Sequence, residues 1–315
     1  MSAAEKTVRL IERLPPVRGD YRSNYPLSRI TWFKVGGVAD VLFRPADTDD
    51  LLNFLQNCSA DVPLTVLGVG SNVLVRDGGI RGVVLRLGRG FAGIEMRPDS
   101  SIKAGGGALD INVARLAADS GLAGLEFLSG IPGTIGGAVK MNAGAYGGDV
   151  GGVLESVEVV DRRGQRSTLL ASDLKFSYRH SHLPTSAIVV SCVLKGTPGD
   201  PAVIRRRMAE IKQTREATQP IRTRTGGSTF RNPGGPSGDG PRAWQLIDDA
   251  GCRGLTRGGA MVSPLHCNFL ENTGQATAAD LESLGEEVRQ RVAERSGIHL
   301  QWEIERLGEL ARGNA

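Results

Sequence analysis

The chain has 315 residues, 40% hydrophobic and 23% charged, with a formal net charge of +4, values of a globular protein with more than one domain and a substantial core. No apolar run approaches the ~20 residues of a membrane span, and aromatics make up only 5%, too few for the interleaved stacking platform of a nucleic-acid binder. Glycine is the anomaly: 43 residues, roughly twice the usual frequency, gathered in short clusters between apolar runs, as expected where backbone closely approaches a ligand.

The amino terminus, MSAAEKTVRLIERLP, is charged and amphipathic and lacks the apolar region of a secretory signal. Cys58, Cys192, Cys252 and Cys267 form no C-x-x-C pair, and His180 and His182 stand apart from them. A cytoplasmic protein without a metal site is expected. The strand ADVLFRP leads to Asp47 or Thr48, either of which could cap a helix carrying Leu51, Leu52 and Leu55. PLTVLG reads as a second strand running into the loop GVGSN, and VLVRDGGIRGVVLRLG as further strands with a glycine turn. From about residue 90 the pattern is strands with one short helix, Leu109 to Ser120. GGVLESVEVV and STLL read as a hairpin around Arg162-Arg163-Gly164, followed by the buried-strand run AIVVSCVLKG.

Residues 201–218 predict a helix with Ile204, Met208 and Ile211 on one stripe and Arg215 continuing it; the run Arg205-Arg206-Arg207 is its solvated face. Beyond Pro220 lies TRTGGSTFRNPGGPSGDGP, then helices at AWQLIDDAG and Thr277 to Ser296, and a final strand, IHLQWEIERL. In that strand Ile298, Leu300, Trp302 and Ile304 share one face, and Glu303 lies opposite, towards solvent or a cleft. The expected divisions are 1–90, 91–213 and 214–303, with 304–315 packing back on the first.

Two glycine loops carry chemistry. Gly68-Val69-Gly70-Ser71-Asn72 follows an apolar strand, but Val73 stands where a dinucleotide fingerprint needs its third glycine, which excludes a Rossmann site. The second loop, Ser129-Gly130-Ile131-Pro132-Gly133-Thr134-Ile135-Gly136-Gly137, could aim several N–H groups at a diphosphate, or could be a tightly turned structural loop. A Cβ at Gly133 is expected to crowd that diphosphate.

Together the loops, with TWFKVGG at 31–37, MNAGAYG at 141–147, FSYRHS at 176–181, GGSTFRNP at 226–233, AWQLID at 243–248, the pattern Val262 to Phe269, NTGQAT at 272–277 and the last-strand glutamate, resemble the UDP-N-acetylenolpyruvoylglucosamine reductase family from about Thr31 to Glu303. The resemblance implies an α+β chain: a vanillyl-alcohol-oxidase (PCMH)-type FAD fold of two subdomains plus a C-terminal α+β substrate domain. It implies FAD held by Gly68, Val69, Gly70, Ser71 and Asn72, by Gly130, Ile131, Pro132, Gly133, Thr134, Gly136 and Gly137, and by Asn142, Ala143 and Gly144. The first loop offers no histidine or cysteine for covalent attachment, so the flavin should be dissociable. NADPH is the implied co-substrate and a UDP-sugar the substrate. By the same resemblance Arg179, Ser228 and Glu303 would be catalytic, with Tyr178, Arg215, Asn232 and Asn268 at the substrate. A monomer is expected, without nucleic-acid or membrane partners.

Four residues depart from the family pattern: Val38 in place of proline, Pro264-Leu265 in place of a charged pair, and Glu271 in place of an apolar residue. No long insertion stands between Tyr146 and Val153, as in the shorter subclass without a substrate-capping tyrosine loop. The competing readings are another FAD oxidoreductase of the same fold acting on a sugar or alcohol, and a nucleotide-binding module without catalysis.

Overall fold

In the computed structural model, residues 10–235 and 240–311 are described. The start of the amphipathic amino terminus, residues 236–239 of the glycine- and proline-rich stretch, and 312–315 of the expected C-terminal packing segment lie outside them. Among the described residues the chain divides into two units, one built from 10–23, 41–68 and 82–214, the other from 24–40, 69–81, 215–235 and 240–311.

In the first unit, Asp47 starts α1 (Thr48–Asn57): its side chain accepts the Asp50 N–H at 3.0 Å, relieving one of the donors a helix start leaves unpaired. Leu51, Phe54 and Leu55 are the buried stripe, and the Phe54 ring packs 4.5 Å from Phe43. Leu52 is only partly buried. Asp50 is 2% exposed, and its carboxylate accepts the N–H groups of Arg18 (2.7 Å), Gly19 (2.9 Å) and Ala46 (2.9 Å). Asp50→Ala would strand those donors, each at about 1–3 kcal/mol. Denaturant unfolding should therefore show a loss of about 3 kcal/mol or more; a loss under about 1 kcal/mol would mean that water replaces the carboxylate.

A four-stranded sheet has the order Asp20–Pro26, Val38–Arg44, Ile80–Leu85, Leu64–Val66, and the chain passes between the units within the first three of these strands. A second, antiparallel sheet is ordered Arg166–Leu170, Leu154–Val160, Ile188–Lys195, Ser101–Gly105, Ile94–Met96. Its first hairpin turns at Gly164, φ +75°, where Asp161 accepts the N–H groups of Arg163 and Gln165. Two helices, α2 (Asp110–Asp119) and α3 (Ile135–Lys140), share one core with this sheet through Val113, Leu128, Ile135, Val157 and Leu194. Pro201 opens α4 (Pro201–Thr218), a position that needs no N–H partner. Ile204 and Ile211 are buried, Met208 packs on the same core, and Arg205 to Arg207 are exposed.

In the second unit, Thr256–Arg257, Ala260–Val262 and Leu270–Asn272 form an antiparallel sheet packed with α5 (Ala243–Asp249) and α6 (Ala278–Ser296). Asp77 accepts the first α6 donors, Ala278 (3.0 Å) and Ala279 (2.9 Å), and Thr277 caps the next. Helix α6 buries Leu281, Leu284, Val288 and Val292, each worth about 1.5–3 kcal/mol of transfer free energy. It stops at Gly297, φ +72°, a conformation costly for other residues.

The expected final strand is corrected. Only Glu305–Leu307 forms a ladder, parallel to Val73–Val75, and 298–304 carries one isolated bridge, Phe230 to Trp302, and a bend at Ile304. The alternation persists: Leu300 and Ile304 are buried while Gln301 is exposed. Extended backbone needs a neighbour to become a sheet, and the segment around Phe230 turns away at Asn232 to Gly235.

Candidate active site

Arg179 sits in the first unit at the tip of a four-residue turn. Ser177 and His180 exchange both N–H to carbonyl bonds at 3.0 Å, leaving Tyr178 and Arg179 as the central pair. Arg179 has φ +55°, a left-handed conformation that costs a side-chain-bearing residue roughly 1–2 kcal/mol. Such strain persists only where surroundings enforce it, and it gathers at functional sites. Here Asn142 enforces it: Nδ2 donates to the Ser177 carbonyl (3.0 Å) and Oδ1 accepts the Gly151 N–H (2.8 Å). The Arg179 guanidinium lies 5.2 Å from the Tyr178 ring centroid, a cation–π distance that keeps the fork flat and oriented.

The second glycine loop belongs to the same unit. Ile135 and Gly136 donate to the carbonyls of Ala108 and Gly106 at 2.9 Å, so the chain itself occupies those two donors. A Cβ on Gly133 would lie 2.6 Å from Asp110 Oδ2. Glycine at 133 thus makes room for a protein carboxyl, a different reason from the crowded diphosphate expected from sequence. The first loop keeps its donors open. No partner for the N–H groups of Gly68, Val69, Gly70 or Ser71 occurs among the described residues. A Cβ on Gly68 would come within 2.8 Å of Thr134 Oγ1. Four consecutive open donors fit a diphosphate, while glycine at 68 makes room for the Thr134 side chain.

Ser228 and Glu303 meet in the second unit. The Glu303 N–H donates to the Thr229 carbonyl at 2.8 Å, and the Phe230 and Trp302 rings pack at 5.1 Å between centroids, tilted by 56°. Both Ser228 and Glu303 are half-buried. Gly227 precedes Ser228 with φ +82°. Two asparagines brace this pair. Asn268, 4% exposed, accepts the Phe230 N–H (2.9 Å) and donates to the Phe230 carbonyl (2.8 Å), as a neighbouring strand would. Asn72 donates to the Glu303 carbonyl at 3.1 Å. Beside them His266 accepts the Asn268 N–H through Nδ1 (3.2 Å), and burial holds its pKa below the usual imidazole value.

Nearly the full length of the chain is similar to proteins of one kind. A family described as the C-terminal domain of UDP-N-acetylenolpyruvoylglucosamine reductase matches residues 219–307, and one described as an FAD binding domain matches 39–169. The UDP-N-acetylenolpyruvoylglucosamine reductase of Parvibaculum lavamentivorans is 58% identical over 98% of this chain and 97% of its own. That of Acidiphilium cryptum is 57% identical over 96% of each. The crystal structure of the Thermus caldophilus reductase is 36% identical, with a TM-score of 0.79 over 93% of this chain and 100% of its own. This chain belongs to the UDP-N-acetylenolpyruvoylglucosamine reductase family. It is an FAD-dependent oxidoreductase with the α+β fold that the resemblance implied.

For a reductase of this family, three of the four asparagines expected to touch ligands take on a second meaning. Asn142, Asn72 and Asn268 each hydrogen-bond backbone beside one of the three candidate catalytic residues. Sequence reasoning missed this bracing, because an amide that mimics a strand neighbour leaves no periodic signal. Asn232 also serves structure, its Oδ1 accepting the Ala243 N–H at the start of α5 (3.0 Å). Arg215 is half-buried, with Nε on Gln219 Oε1 at 3.2 Å. Of the departures, Leu265 is exposed, whereas Glu271 is 7% exposed at the centre of its strand.

Asn142→Ala should release the Arg179 turn. A loosened catalytic group costs up to about 10²-fold in rate, so turnover should fall by about tenfold or more while bound flavin per chain stays unchanged. Lost flavin, with turnover per bound flavin unaltered, would place Asn142 at the cofactor instead.

Proposed function

We propose that this reductase converts UDP-N-acetylenolpyruvoylglucosamine to UDP-N-acetylmuramate with NADPH as hydride donor, in peptidoglycan precursor synthesis, and so serves cell-wall biogenesis, cell shape and division. FAD would be held by the loops Gly68 to Asn72 and Gly130 to Gly137 and would supply the hydride chemistry that links NADPH to the substrate's vinyl group. The remaining chemistry falls to the chain. Negative charge develops at the carbon beside the substrate carboxylate, and that carbon must receive a proton. Arg179 holds the carboxylate through its planar fork, Ser228 gives the proton, and Glu303 supports the developing charge as a hydrogen-bonding neighbour. The observation that carries this assignment is the bond from the Glu303 N–H to the Thr229 carbonyl, which fixes the two residues' main chains side by side.

Tyr178 and Arg215 are proposed at the nucleotide sugar, with Asn232 and Asn268 reaching it or positioning the groups that do. The proposed division is a pair of FAD subdomains over 1–90 and 91–213 and a substrate domain over 214–303, supported by family matches that break between 169 and 219. The protein is proposed to act as a cytoplasmic monomer. No helix among the described residues is long and apolar enough to cross a membrane.

A purified yellow protein that consumes NADPH only when the enolpyruvyl sugar is present is the expected result. Acid precipitation should release the flavin to the supernatant. Flavin left on the precipitated chain would contradict dissociable binding, and NADPH consumption driven by oxygen alone would favour an oxidase.

A further inference from the structure

Asp110 is the first residue of α2, and its side chain is wholly buried, at 0% exposure. Neither carboxyl oxygen has a hydrogen-bond partner among the described residues. An ionised carboxylate so placed would lose its hydration without compensation. The group lies directly under the second glycine loop. The Asp110 N–H donates to the Gly133 carbonyl (3.2 Å), Leu109 bridges Thr134, and Oδ2 occupies the space where a Gly133 Cβ would stand. From sequence alone Asp110 reads as an ordinary acidic residue in a helix's first turn.

We propose that Asp110 is a neutral carboxylic acid beneath the 130–137 loop and that the protein's retention of FAD is linked to its proton. The inference rests on the reading of this loop as part of the FAD diphosphate site. An uncharged acid leaves the loop free to receive an anion. An ionised one adds a negative charge on the protein side of the same loop, where little solvent screens it.

Among the described residues, no cation offsets that charge. Among the surrounding elements Glu95, Lys103 and Lys140 are exposed, and Glu126 accepts the Gly124 N–H. Cys192 in the Ile188–Lys195 strand is the titratable group that senses Asp110: burial first, then the Asp110 charge, pushes its thiol up. Burial is the one cause acting on Asp110, and it raises the carboxyl well above the usual range. The sign follows. A carboxyl raised in the folded state contributes its full stability below the unfolded value and loses it as pH rises through the folded value. A bound diphosphate raises it further, so FAD binding takes up a proton from solvent once the free protein has begun to ionise, and affinity falls as pH rises.

Two measurements on the whole protein test this. The infrared difference spectrum of wild type minus Asp110→Asn, taken near neutral pH without added flavin, should show the carbonyl stretch of a protonated carboxylic acid. Carboxylate bands in its place would overturn the proposal, whatever the protein binds. Flavin-fluorescence titration of the apoproteins should then give similar FAD dissociation constants for the two near about pH 6. By about pH 10 the wild-type constant should have risen relative to the variant, by at most tenfold per pH unit for one proton. A constant ratio across that range would overturn the linkage, and failure of both proteins to bind FAD would instead overturn the reading of the loop. Asp110→Asn keeps the shape of the neutral acid, so its melting temperature should not fall below wild type; a fall would mark the charged form as the native one.

Discussion

Ser228→Ala should leave reduction by NADPH within a few-fold of wild type and slow reoxidation by the enolpyruvyl sugar by about 10²–10⁴, the range for a lost general acid. A serine hydroxyl is a weak acid. It can protonate carbon only when it is oriented and shielded from water and the acceptor is strongly basic. The structure provides orientation. Gly227 turns the chain at φ +82°, Ser228 bridges Phe269, and Asn268 closes both hydrogen bonds of Phe230 two residues on. Glu303→Gln retains the shape of the neighbour and should slow the same step, with the NADPH step intact. Stopped-flow absorbance of each step, measured separately, decides the matter. If either variant slowed the NADPH step alone, its role would be wrong.

Arg179→Ala is expected to cost about 10²–10³ in the substrate step, the loss seen when one charge-stabilising donor is removed. Lysine should not rescue it, because a point charge lacks the planar fork that holds a carboxylate by two bonds. The strained backbone supplies a control that a merely structural arginine would not pass. Arg179 has φ +55°, so Arg179→Gly relieves strain worth about 1–2 kcal/mol. That variant should melt at or above the wild-type temperature while turning over slowly, the trade expected where activity depends on an unfavourable conformation. A variant both less stable and fully active would assign the turn to folding.

Much of the fold was legible because helices announce themselves. Asp47 or Thr48 before a leucine stripe, a helix from residue 201 and another from about Thr277 were the expected starts. The structure places them with Asp47 as the cap, Pro201 first in α4 and α6 beginning one residue later at Ala278. The strand over 298–307 was less legible. Its alternation is real, but sequence carries no information on whether a partner strand runs alongside. The candidate site was legible through its resemblance to a known family, not through local chemistry, since a serine in a glycine turn and an arginine after a strand are ordinary surface residues. Asp110 was not legible at all, and the asparagines were legible only as the ligand contacts the resemblance implied, not as braces. Their meaning lies in burial and in bonds to distant backbone, such as Asn72 to Glu303.

The most direct test of the account follows the atoms. NADPH reduction of UDP-N-acetylenolpyruvoylglucosamine by the purified protein in deuterium oxide, with the product read by NMR, reports where solvent protons enter. The account predicts UDP-N-acetylmuramate carrying deuterium, in every molecule, at the carbon beside the carboxylate, because Ser228 exchanges its proton with solvent before giving it up. Product with ordinary hydrogen at that carbon, or no consumption of the enolpyruvyl sugar, would contradict it.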